Sequence, residues 1–237
     1  YNVPRIAFVN KMDRVGADFF RTVQMMRDRL GTNPVPVQLA IGAEDGFRGI
    51  IDLLAERSYM YLDNLGTEVE EGPIPQGYLE EAEHYRELMI EAVVEHDEQL
   101  MEKFLEGKKP APDEIKQALR RGTIAAQITP VLCGSAFRNK GVQLLLDAVV
   151  DYLPAPSDLP PTVGLDPEKE TERERRPDDK EYFAALAFKV AADPYVGKLV
   201  FFRVYSGELK TGTYVYNAAK GKRERVGRIL RMHANDR

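Results

Sequence analysis

Ile6-Ala7-Phe8-Val9-Asn10-Lys11-Met12-Asp13 is the stretch whose reading decides the fold. The apolar residues make a strand, the polar quartet leaves it as a short loop, and an amphipathic run from Ala17 to Leu30 follows as a helix. In an open α/β sheet, the loop at the carboxyl end of a strand is where ligands sit. Asn10, Lys11 and Asp13 in that place suit a guanine ring. The Asp13 carboxylate can accept two parallel hydrogen bonds, from the ring N–H and the exocyclic amine, a pair that adenine cannot supply. The Lys11 stem can lie along base or sugar, and the Asn10 amide can bridge base and backbone. Each charge-assisted bond nets roughly 1.5–3 kcal/mol, and a site built on such bonds rejects a base that leaves them unmade. The plainer reading is a polar loop in which Asp13 caps the following helix.

A second strand–loop–helix unit lies far downstream. Ile128 to Cys133 is apolar, Gly134-Ser135-Ala136 leaves it, and Asn139-Lys140-Gly141 leads into a helix from Val142 to Leu153. Small residues let backbone N–H groups approach a ligand closely, so Ser135 and Ala136 are placed to meet the guanine carbonyl oxygen. The two loops are expected to form complementary halves of one base pocket.

These strings resemble the translational GTPases, and among them the elongation factor G family. The resemblance rests on Phe8 to Asp13, on Cys133 to Pro154, on Asp193-Pro194-Tyr195-Val196-Gly197, on Phe202 to Gly207, and on Arg231-Met232-His233-Ala234-Asn235. It runs through essentially the whole chain. It implies that Asn10, Lys11 and Asp13 select the base, with Ser135 and Ala136 supplying the last contact. It further implies GTP or GDP with Mg2+ as ligands, a cytoplasmic location, and the ribosome as partner. The family activity is GTP hydrolysis coupled to movement of tRNA and messenger. Related ribosome-bound GTPases, for release-factor recycling or ribosomal protection, share much of this pattern. A non-enzymatic ribosome-interaction module with a relic guanine loop is the rival from another class.

No G-x-x-x-x-G-K-[ST] phosphate loop occurs, and no D-x-x-G element precedes the guanine motif. The chain is therefore expected to be a piece that starts after the phosphate-binding half, without catalytic residues of its own and without tight nucleotide binding. Composition agrees with a soluble chain, 43% hydrophobic, of one to three domains. No apolar stretch approaches the ~18 residues of a membrane span. The single Cys133 excludes an internal disulfide framework and fits a reducing compartment. His84, His96 and His233 show no metal-ligand spacing. A monomer is expected.

Asp13 and Ser135 stand 122 positions apart, so something the size of a small domain is inserted between them. The expected fold is α/β. Part of a Ras-like GTPase sheet (1–30 and 127–155) encloses an α+β insert (31–126). A Pro-rich, charged linker (156–181) and the start of an antiparallel β-barrel (182–237) follow. In the insert, strands are predicted over Val35–Ile41, Arg48–Leu54 and Arg57–Asp63, then a breaker at Glu71-Gly72-Pro73 and helices over Tyr78–Leu105 and Pro112–Arg121. An extra subdomain in this place is what the resemblance implies.

On one continuous helix, Tyr85, Leu88, Met89, Val93, His96 and Leu100 share an apolar face, while Glu91, Glu95 and Glu98 align opposite. Such a row is either a solvated face or a docking strip for a basic partner. The resemblance implies contact with the stalk protein of the large ribosomal subunit. His96 is expected in the core or at its boundary. Asp166 to Glu181 reads as an exposed, mobile linker or hairpin tip. Strands are predicted over Phe183–Val190, Lys198–Tyr205, Gly212–Tyr216 and Arg223–Leu230.

Charge is unevenly divided. From Lys198 onward, ten Lys/Arg against three acids give +7, so residues 1–197 carry −12 within the total of −5. Lys220, Lys222, Arg223, Arg225, Arg228 and Arg231 make the basic cluster, with several charges expected on one strand face. Such charges either guard an edge strand or contact phosphates. The resemblance implies ribosomal RNA of the small subunit.

Overall fold

In chain order the first elements are β1 (Ala7–Val9), α1 (Phe19–Leu30), β2 (Pro34–Pro36), β3 (Gln38–Ile41), β4 (Gly49–Asp52), β5 (Arg57–Tyr61) and β6 (Val69–Pro73). Helices α2 (Leu79–Val94), α3 (Glu98–Leu105) and α4 (Pro112–Ile124) follow, then β7 (Thr129–Cys133) and α5 (Val142–Tyr152). They come from a computed structural model that describes residues 3–166, 169, 171–193 and 197–232. The chain divides into two compact units, Tyr1–Pro154 and Ala155–Arg237.

In the first unit, β7 is the middle strand of a parallel sheet ordered β1-β7-β2. Every residue of β7 is buried, and the Cys133 thiol lies fully inside. A continuous apolar run is what a strand covered on both faces requires. Helix α1 begins where Asp18 caps it, its side chain accepting from Arg21 N at 2.9 Å. It ends at Gly31, whose φ of 58° lets the cap N–H reach Arg27 O. Asp18 thus does the capping that the plainer reading assigned to Asp13.

The predicted strand over Val35–Ile41 is two strands in two sheets. Pro34-Val35-Pro36 is an edge strand beside β7, a place that tolerates proline. Val37 then donates its N–H to Val131 O at 3.0 Å and accepts from Leu53 N at 3.1 Å, so the chain crosses there into an antiparallel sheet ordered β3-β4-β5-β6. Strand β6 replaces the predicted breaker. Gly72 and Pro73 are accepted because β6 lies at the sheet edge, opposite Ser58 and Arg57. Leu39, Ile41, Ile50, Ile51 and Leu53 from this sheet pack with Met89, Ile115, Leu119 and Leu132 in one apolar core.

The helix predicted over Tyr78–Leu105 is broken. Helix α2 ends at Val94, and Asp97 starts α3 by accepting from Leu100 N at 3.1 Å. Arg121 of α4 pairs with the same carboxylate. On α2, Ala82, Met89, Ile90, Val93 and Val94 are buried and Leu88 is exposed; in the break His96 is exposed as well. The expected placement of His96 in the core or at its boundary does not hold: His96 is exposed in the turn between the helices, its N–H on Val93 O.

In the second unit, β8 (Thr162–Leu165) and β9 (Glu172–Arg175) form a solvent-facing antiparallel hairpin within the segment expected to be a linker. Next come β10 (Ala184–Asp193) paired antiparallel with β11 (Gly197–Ser206), and β12 (Tyr214–Asn217) paired with β13 (Lys222–Arg225). Gly207 closes against residues 181–183: a Cβ there would stand 2.5 Å from Glu181 O. The motif residues 194–196 and 233–235 lie outside the described residues.

Candidate functional site

Parallel pairing of Val9 with Cys133 puts the exits of β1 and β7 side by side. Gly134 N donates to Val9 O at 3.0 Å, and Met12 N returns a bond to Gly134 O at 3.1 Å. Side chains complete the joint. Ser135 Oγ donates to Asp13 Oδ1 at 2.7 Å, and Ala136 N donates to Asn10 Oδ1 at 2.9 Å. Asn10 Oδ1 also accepts from Lys11 N at 2.8 Å. Lys11 is exposed and its backbone is left-handed, φ 64°. The five sequence-chosen residues Asn10, Lys11, Asp13, Ser135 and Ala136 therefore occupy two abutting turns.

The Ser135 hydroxyl holds the Asp13 carboxyl below its ordinary range, with lesser help from Arg14 and from Arg138, whose Nε lies 3.7 Å from Oδ2. Asp13 is thus an ionised, oriented acceptor. A carboxylate offers about four acceptor directions, so the Ser135 bond leaves it capacity for the paired N–H donors of a guanine edge. The sequence reading assigned Ser135 a backbone role, and the structure adds a side-chain one.

The second turn is a closed loop. Ser135 N donates to Lys140 O at 2.9 Å and Lys140 N to Ser135 O at 3.0 Å. A Cβ on Gly134 would stand 2.3 Å from Lys140 O and 2.6 Å from the Phe8 ring, so only glycine fits. Four long-range contacts brace the two turns. The Tyr61 hydroxyl accepts from Gly141 N at 2.7 Å, and buried Lys140 donates through Nζ to Phe47 O at 3.3 Å. Asn139 Nδ2 donates to Gly66 O at 3.2 Å, and Glu44 N donates to Met12 O at 2.8 Å. Such contacts join positions up to 93 apart and leave no local pattern to read.

The family model described as the elongation factor Tu GTP binding domain matches residues 1–155. The chain belongs to that GTP-binding family. A second model, elongation factor Tu domain 2, matches residues 197–237. A crystal structure from Thermus thermophilus is similar, with a TM-score of 0.74 and 27% identity, covering 95% of this chain and 30% of that one. The present chain thus spans about 30% of that relative's length. The parallel sheet of the GTP-binding domain and the antiparallel strands after it agree with the expected α/β class.

Elsewhere in this translation-factor GTPase domain, Glu91, Glu95 and Glu98 are all exposed, but not as one row on one helix. Glu91 belongs to α2, Glu95 ends it, and Glu98 opens α3. In the domain 2 region, the basic cluster is split as well. Lys220 Nζ donates to Glu224 Oε1 at 3.2 Å. Alternation in β13 sends Lys222 and Glu224 to one face and Arg223 and Arg225 to the other, where their partners are Tyr216 and Tyr214. The strand stops at Arg225, so the expected alternation does not continue through Ile229 to Arg231.

Proposed function

We propose that this chain is part of a ribosomal translocase of the elongation factor G kind, which couples GTP binding and hydrolysis to movement of tRNA and messenger. The observation that carries the reading is the joint between the two turns. Ser135 on Asp13 and Ala136 on Asn10 link positions 122 and 126 apart, with the β3–β6 sheet and helices α1 to α4 folded in between. Asp13 and Lys11 would hold the base, Asn10 would tie it to the second turn, and Ser135 and Ala136 would complete the pocket at the carbonyl edge. The sequence carries no phosphate-loop motif, and among the described residues no group of His, Cys, Asp and Glu could hold a metal ion. On this reading the isolated chain is expected to show no GTP turnover.

Glu91, Glu95 and Glu98 are proposed to meet the basic stalk partner, and Arg223 and Arg225 to meet ribosomal RNA phosphates. The central test is Asp13→Asn in the full-length protein. Preference should pass from GTP to xanthosine triphosphate, whose ring presents an acceptor where guanine has a donor. An unaltered base preference would remove the guanine role. A defined ribosome assay then separates translocase from relatives: GTP turnover on ribosomes without tRNA–messenger movement would assign the chain to another translational GTPase.

A further inference from the structure

We propose that the antiparallel sheet of the insert controls how long a nucleotide stays bound, with Tyr61 and Lys140 as the positioning residues. This rests on the guanine reading above and adds to it a regulator of the same pocket.

The Asn139–Gly141 stem closes on Ser135 through the Lys140 backbone pair, and the other end of the turn is anchored in β7, where Cys133 pairs with Val9. That stem is gripped by the insert. Tyr61, at the end of β5, accepts the Gly141 N–H with its hydroxyl at 2.7 Å, in a buried contact. Gly141 has φ 83°, and a Cβ there would meet Cys133 O at 2.6 Å, so only glycine fits at that position of the stem. Lys140 is 7% exposed, with its ammonium on Phe47 O and 5.8 Å from the Tyr61 ring centre. A buried cation served by a carbonyl and an aromatic face is an unusual choice for a residue whose only duty is packing. The turn at Gly66 presses on the same loop, since a Cβ there would stand 2.5 Å from Arg138 O.

The first turn is braced from the insert as well. Glu44 donates its N–H to Met12 O at 2.8 Å and accepts from Gly16 N at 2.6 Å through Oε1. Both halves of the pocket are thus fastened to one small sheet and its turns. Loosening it would let Ser135 and Ala136 drift from Asp13 and Asn10, and a force on the insert would reach the base without touching it.

The experiment measures release of preloaded mant-GDP, a fluorescent nucleotide, chased with GDP, from the full-length protein. Tyr61→Phe removes only the hydroxyl, and Lys140→Met keeps the stem and removes the ammonium. Release should quicken about tenfold in each, equivalent to ~1.4 kcal/mol. A rate per loaded molecule ignores the fraction that folds, so a purely structural role would leave fewer loaded molecules and the same rate. If Lys140→Met does not fold, Tyr61→Phe decides alone. Release within twofold of the parent rate overturns the proposal. Asp13→Asn keeps the two readings apart: if it turns preference to mant-XDP while Tyr61→Phe changes nothing, only the positioning role fails. If it leaves guanine preference intact, the guanine reading fails and this inference with it.

Discussion

Asp13 and Asp63 show how single carboxylates organise a loop. Asp63 accepts from Leu65 N, Thr67 N, Thr67 Oγ1 and Glu68 N, and these bonds, the hydroxyl's first, hold its pKa at about 2. Both groups have folded values below the ordinary 3.8. An acid with a depressed folded pKa stabilises fully above its unfolded value and loses that contribution as pH falls towards the folded one. The window for Asp63 therefore runs from 3.8 down to about 2. Thermal melts carried from mildly acidic pH down through that window should show a falling midpoint, and Asp63→Asn should flatten part of the fall while lowering the midpoint at neutral pH. An Asp63→Asn curve parallel to the parent's would deny this turn its role in acid sensitivity. Asp13 itself was legible in the sequence because a strand-exit Asn-Lys-x-Asp is local text. Its fixation by Ser135 was not, because that bond spans the whole insert.

At the scale of elements, the break between α2 and α3 is the most consequential departure from pattern. Glu95, His96 and Asp97 suit a helix interior by periodicity, so the sequence reads as one long helix. What ends α2 is a capping preference: an Asp with extended backbone, φ −141°, satisfies the first turn of α3 and pairs with Arg121 on α4. Asp97→Ala should cost about 1–2 kcal/mol from the lost cap and ion pair, a midpoint drop of about 3–6 °C in a unit of this size. Calorimetry with no change beyond error would show that the break is set elsewhere. The strand β6 was hidden for the opposite reason. Gly72 and Pro73 are poor strand formers taken alone, and they are tolerated only because the sheet ends there. Elements whose cause lies within a few residues, such as α1 with Asp18 before it and Gly31 after, could be read from the text. Those decided by a neighbour far along the chain could not.

On the scale of the whole molecule, an acidic first part precedes a basic last part, and the fold refines that contrast. Lys220 is neutralised by Glu224, which leaves Arg223 and Arg225 beside Tyr216 and Tyr214 as the exposed cationic face of the β12–β13 hairpin. If these two arginines touch phosphates, replacing both with Gln should lower the slope of log affinity against log salt for ribosomes by about 1.4–1.8. Lys220→Gln should change it little. Equal slopes for all three proteins would return the hairpin to a charge-guarded edge. The composition showed that positive charge accumulates here. Which cations stay available depended on the hairpin register, which brings Asn217 and Lys220 onto Glu224.

The single thiol has a use beyond packing. Cys133 stands in the middle strand with no surface and with its ionisation pushed far up by burial. A sulfhydryl reagent can meet it only when β7 parts from its neighbours, since thiolate and access are both needed for reaction. The chain therefore contains a natural clock for opening beneath the two turns: the pace at which a disulfide dye colours the protein reports how often that floor gives way, and a bound nucleotide should slow it.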